Sequence, residues 1–118
     1  MFGRLLPEID VKTLAEKIKS EEVFVLLDVR ETDELLLAKI EDRRLVHAPL
    51  SQLAVGGMAV LPEPVQRQDG RVYVLCHQGS RSAQVTHWLV KNGWTNVFNV
   101  RGGIDEYARQ VDHSVGMY

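Results

Sequence analysis

Three short apolar runs most constrain what this chain can fold into: VFVLLDV (Val23 to Val29), RVYVLC (Arg71 to Cys76) and NVFNV (Asn96 to Val100). Nearly continuous hydrophobic runs of that length belong to strands covered on both faces. Between them lie segments whose apolar residues recur at helical spacing. This alternation predicts an α/β domain built on a mainly parallel central sheet, with helices on both faces and right-handed crossovers. At 118 residues the chain fits one domain, residues 1–118, and should bury roughly two thirds of its unfolded surface. Ligands of such sheets gather at the carboxyl ends of the strands.

In IDVKTLAEKIKS the residues Val11, Leu14, Ala15 and Ile18 fall on one helical face, with Asp10 placed to accept from the first turn's free amides. TDELLLAK opens with acids suited to the positive end of a helix dipole and predicts a brief second helix. LVHAPLSQL predicts a short strand broken at Pro49, then a turn or short helix. The stretch from Ala54 to Gly70 carries two prolines, a glycine pair and no clean period, and reads mostly as loop. SAQVTHWLVKN is helical, with Gly93 where a left-handed C-terminal residue is wanted. GGIDEYARQV is a glycine turn entering a last helix.

Composition removes several classes. With 14 basic and 16 acidic residues the net charge is -2, and the basic side chains are scattered, so no nucleic-acid partner is expected. The segment MFGRLLPEID lacks an apolar leader, and no run approaches a membrane span, so the expectation is a cytoplasmic protein with no membrane partner. One cysteine cannot form an internal disulfide, which shifts interest from scaffolding to reactivity. His47, His77, His87 and His113 show no ligand spacing with it, so no metal is expected. Trp88 and Trp94 suit core or rim packing.

The lone thiol, Cys76, ends an apolar strand and begins the turn CHQGSR, with Ser82 at the predicted start of the next helix. A turn in that place arches across the carboxyl edge of the sheet with its amides facing inward, and with the helix N-terminus it forms a concavity that stabilises an anion. If the occupant is the sulfur of Cys76, its thiolate is favoured and its pKa should fall below the free value of about 8.5. The expectation is a thiol held ionised and open to small reagents. Gly79 supplies positive φ or close backbone approach, Arg81 a planar donor fork for sulfonate or phosphate oxygens, and Ser82 a capping hydroxyl. The competing reading, a small buried core cysteine, is common for this residue type.

The pattern Cys-x-x-Gly-x-Arg-Ser, as Cys76, Gly79, Arg81 and Ser82, resembles the active-site loop of the rhodanese (thiosulfate:cyanide sulfurtransferase) family, in the manner of its single-domain members. LLDVRE (Leu26 to Glu31) is similar to the family's first-strand signature, and VFNVRGGIDEYARQVDHSVGMY to its closing segment. The resemblance implies a cysteine that takes a sulfane sulfur from thiosulfate or a persulfide donor, becomes a persulfide, and passes the sulfur to a thiol or cyanide. It implies no dissociable cofactor. Small sulfur-containing anions are the implied partners, with a protein sulfur donor or acceptor as a further one. In that picture Cys76 is the carrier, and the amides of His77, Gln78, Gly79, Ser80, Arg81 and Ser82 cradle the terminal sulfur. Arg81 attracts an anionic donor, Arg30 helps draw in an anion or is a solvated surface cation, and Asp28 braces the loop by accepting amide hydrogen bonds.

Departures fall in one connection. Ala38 and Lys39 stand where the family has Gly-His, Asp42 and Arg43 replace a small pair, and about two extra residues precede Pro49, so the shape and charge of that wall should differ. Two alternatives stay open. One is a redox-sensing or sulfur-relay binding module, since the same thiol is oxidisable. The more remote is a phosphatase, whose loop has five residues between cysteine and arginine where this chain has four, and which needs a loop acid that HQGS does not offer.

Overall fold

A computed structural model describes residues 6–118; the first five residues of the MFGRLLPEID segment lie outside the described ones. Five strands, β1 (Glu8–Ile9), β2 (Val25–Asp28), β3 (Leu45–His47), β4 (Val72–Leu75) and β5 (Val97–Val100), form one sheet in the order β1-β5-β4-β2-β3. Every pairing is parallel. The helices are α1 (Val11–Lys19), α2 (Leu50–Gly56), α3 (Ser80–Lys91) and α4 (Gly103–Gln110).

Alternation along the strands sorts side chains into two cores. In β4, Tyr73 and Leu75 join Leu14, Ala15, Ile104 and Tyr107 in one cluster, with α1 and α4. Val72 and Val74 join Leu53, Val85 and Leu89 in the other, with α2 and α3. Cys76 continues that second row. Both faces of the central strands are therefore covered, which is why those segments read as unbroken apolar runs.

The expected α/β architecture is the observed one, and the differences are local. Glu8–Ile9 adds an edge strand, paired to Asn99 and Val100, that is too short for any periodicity to reveal. Asp10 does accept from the Thr13 amide at 2.8 Å. The acids of TDELLLAK start only a 3-10 turn, Thr32–Leu36, in which the Glu31 side chain and the Glu34 side chain cap each other's backbone. Leu36 and Leu37 remain exposed, so no buried stripe prolongs the turn into a helix. The Ala54 to Gly70 stretch finishes α2 and then makes two 3-10 turns, Gly57–Val60 and Glu63–Val65. Trp94 is buried and donates its indole N–H to the Val65 carbonyl at 2.8 Å, which fastens that connection to the core.

Candidate active site

β4 delivers Cys76 to the carboxyl edge of the sheet, between its neighbours β2 and β5. The turn that follows enters α3 through Gly79, whose φ of +100 is the left-handed region that L side chains avoid. A Cβ there would also lie 3.0 Å from the Gly102 amide nitrogen. The helix starts at Ser80, two residues earlier than the sequence suggests. Ser82 is consequently inside the first turn, where it caps nothing; its buried Oγ lies 3.2 Å from Cys76 Sγ. From the other side the Gly79 amide donates to Sγ at 3.0 Å. One inward amide, a hydroxyl and the N-terminus of a twelve-residue helix thus converge on the sulfur.

The expectation of an open thiol needs correction: Cys76 is 1 % exposed and packs in the α2/α3 core. Both readings of the cysteine hold together. Its position in the β4 alternation makes it a core residue, and the arch over it makes its sulfur a hydrogen-bond acceptor. Gln78 and Ser80 are exposed on the rim, and His77 and Gly79 are half-buried.

The loop is held from outside by the last third of the chain. The Ile104 amide donates to the Cys76 carbonyl at 2.9 Å and the Asp105 amide to the His77 carbonyl at 3.0 Å. This contact explains the glycine pair. A Cβ on Gly103 would meet the His77 oxygen at 2.4 Å and the Cys76 oxygen at 2.6 Å, so the α4 entry can approach this closely only without a side chain. Asn99 on β5 donates from Nδ2 to the Gly79 carbonyl at 3.3 Å.

Two arginines behave differently from expectation. Arg30 is neither a surface cation nor an anion collector, because it is fully buried. Its Nη2 pairs with Asp28 Oδ2 at 2.7 Å and Nε with Oδ1 at 3.0 Å, while Nη1 donates to the Glu34 and Ala38 carbonyls. Burial alone would disfavour its charge, but the hydrogen bonds and charge of Asp28 outweigh that and hold it more firmly protonated. Asp28 is accordingly committed to the Arg30 amide and guanidinium, not to the cysteine loop. The altered segment has a role here, since Ala38 is buried and supplies one of the carbonyls.

Arg81 does reach the mouth of the loop, where it is met by a carboxylate. Its Nη1 and Nη2 donate to Glu34 Oε2 and Oε1 at 2.6 and 2.9 Å. Glu34 also accepts from the Glu31 amide at 2.9 Å and the Tyr118 hydroxyl at 2.9 Å. The Arg81 hydrogen bonds, ahead of the others, hold the Glu34 carboxyl at about 2, well below its ordinary 4.5. Glu34 in turn pushes Arg81 further towards its charged form. Tyr118 stacks on the His77 ring, centroids 3.9 Å apart and planes 9° from parallel. His77 Nε2 lies 2.9 Å from a backbone oxygen of Tyr118.

Glu34, Tyr118, Asn99 and Gly103 are the site residues that sequence reasoning missed. Glu34 lies 47 positions from its partner and looked like a helix-dipole acid. Tyr118 had no signal beyond being aromatic.

A family model described as a rhodanese-like domain matches residues 10–110. The chain belongs to the rhodanese-like domain family. Among its relatives, a sulfurtransferase of Allochromatium vinosum is 30% identical over 105 residues, covering 89% of this domain and 91% of that protein. The Rhodanese-like/PpiC domain-containing protein 12 of Arabidopsis thaliana is 33% identical over 115 residues, 94% of this domain but 37% of that protein, so this domain corresponds to little more than a third of it. The crystal structure of a rhodanese-related protein from Thermoplasma volcanium superposes with a TM-score of 0.70 at 30% identity, over 89% of this domain and 93% of that chain. No helix among the described residues is long and apolar enough to cross a membrane.

Proposed function

We propose that this rhodanese-like domain is a sulfurtransferase that carries a sulfane sulfur as a persulfide on Cys76. The observation that carries this reading is the Gly79 amide aimed at Cys76 Sγ at 3.0 Å, in a loop that runs into the N-terminus of α3. A donor amide and the positive end of a helix favour negative charge on that sulfur, as a nucleophile requires. The thiolate attacks the sulfane sulfur of thiosulfate, the S–S bond breaks, and sulfite departs with the bonding pair. An alkyl persulfide reacts in the same way and loses a thiolate. Cyanide or an acceptor thiol then takes the outer sulfur and returns Cys76 to its starting state.

Persulfide formation extends the side chain by one S–S bond of about 2 Å, so a carrier whose own sulfur is buried still presents its cargo nearer the loop mouth. The loop residues His77, Gln78, Gly79, Ser80, Arg81 and Ser82 line the space for that cargo and its donor, with Gln78 and Ser80 on the rim and Ser82 buried behind the sulfur. Arg30 has no part in substrate contact, and no dissociable cofactor takes part.

Intact mass spectrometry tests the proposal. Incubation with thiosulfate or glutathione persulfide should add the mass of one sulfur atom, cyanide should remove it, and Cys76→Ser should show neither change. Oxygen addition without sulfur gain would favour the redox-sensing alternative and overturn the transferase reading.

A further inference from the structure

In the segment Cys76 to Ser82 the one permanent cation is Arg81. A sulfonate entering beside Cys76 would have to use it, yet both of its Nη groups are already spent on Glu34. Nor is Glu34 free to swing aside. Its Oε2 is held by the Glu31 amide and its Oε1 by the Tyr118 hydroxyl, and that hydroxyl accepts from Arg30 Nη1 at 3.2 Å, which directs its proton towards Glu34. The second cation nearby, Arg30, is cancelled by Asp28 out of reach of solvent. Glu31, which accepts from the Ser51 hydroxyl and amide, adds a further carboxylate beside the Thr32–Leu36 turn. Among these five side chains two cations stand against three carboxylates, so they supply no positive excess to attract a dianion.

Resting on the reading of Cys76 as a sulfur carrier, we propose that Glu34 determines the donor class: by holding Arg81 in a two-pronged pair it selects alkyl persulfides over thiosulfate. Thiosulfate presents its sulfonate on the atom next to the transferred sulfur, so it must displace a carboxylate and then sit beside it. An alkyl persulfide has carbon-bound sulfur in that position and asks nothing of Arg81. Both charging steps balance without an outside oxidant. Cys76 thiolate and thiosulfate give the persulfide anion and sulfite. Cys76 thiolate and RS–SH give the Cys76 persulfide and RS⁻, with the RS–S bond broken and the proton kept on the transferred sulfur. Glu34 is a specificity-determining residue here, acting through the availability of Arg81.

The test follows the rate at which reduced chain gains one sulfur atom by mass, over a range of thiosulfate or glutathione persulfide concentrations. The second probe is suitable because its carboxylates lie many bonds from the transferred sulfur. Wild type should charge faster from the persulfide. In Glu34→Gln the thiosulfate-to-persulfide ratio of rate constants should rise at least about tenfold, through a lower half-saturating thiosulfate concentration and not a faster limiting rate. The gain should vanish in Glu34→Gln/Arg81→Ala, which a merely structural role for Glu34 would not produce. Should Glu34→Gln fail to fold, Glu34→Asp, one methylene too short for the two-pronged pair, should move the ratio in the same direction. A ratio unchanged in a folded Glu34 variant that still charges would overturn the proposal. Failure of wild type to charge from either donor would instead refute the carrier reading beneath it.

Discussion

Two arginine–carboxylate pairs stand at the same edge of the sheet, and they do opposite things. Arg30 and Asp28 have no exposed side-chain surface, are two residues apart in sequence, and spend the guanidinium on Asp28, two carbonyls and a hydroxyl. Arg81 and Glu34 are 47 positions apart, and their side chains are 30 % and 18 % exposed, so an anion reaching Arg81 must compete with a carboxylate that is itself held in place. The first pair is architecture: a buried charge is tolerated only when fully bonded, so no anion can enter without dismantling it. The second is a contact that solvent and substrate can contest. Tyr118 joins them, accepting from Arg30 and donating to Glu34. Burial, rather than charge or proximity to the cysteine, decides which arginine can belong to the site.

That contrast is broken most severely by Asp28→Ala, which strands a buried guanidinium. Unfolding in urea should show a loss of about 3 to 5 kcal/mol. Adding Arg30→Met should recover much of it, because the uncompensated charge is then gone. A loss below about 1 kcal/mol in the single variant would mean the two pairs are equivalent.

Glu34→Gln sharpens the comparison through pH. The Glu34 carboxyl is held at about 2 in the folded chain against an ordinary 4.5. Its stabilising contribution is therefore complete above about pH 4.5 and is lost as pH falls towards 2. At neutral pH the variant should be less stable by roughly 2 kcal/mol, a difference that shrinks through that window and weakens with added salt. A difference that persisted at pH 2 would show that packing, not ionisation, holds the turn.

The smallest effect belongs to Tyr118→Phe, which keeps the stack on His77 and deletes only the hydroxyl between the two pairs. A loss of about 0.5 to 1.5 kcal/mol is expected, measured by the same unfolding curves.

Elements that depend on neighbouring residues were legible in the sequence. The parallel strands, α1 with its Asp10 cap, and the grouping of Cys76, Gly79, Arg81 and Ser82 all follow from spacing within short windows. What escaped depends on distant partners. In the sequence Arg30 reads as an anion collector or a surface cation because arginine is rarely buried, and Asp28 reads as a brace for the loop amides where the fold gives it to Arg30. Glu34 became visible as the partner of Arg81 only when the Thr32–Leu36 turn folded over the edge of the sheet. In the sequence the Ser82 hydroxyl reads as a helix cap and its amide as part of the cradle, but the helix begins two residues sooner, and the hydroxyl faces the sulfur instead.

The amides of Ile104 and Asp105 carry a consequence for when this thiol becomes special. They clasp the carbonyls of Cys76 and His77 across the bare backbone of Gly103, so the arch is expected to hold this shape only with the carboxy-terminal part of the fold docked. A ribosome-bound or proteolytically shortened chain lacking α4 should expose an ordinary cysteine without the arrangement that distinguishes it. If Cys76 carries sulfur as proposed, that chemistry depends on the docking of α4 against the loop.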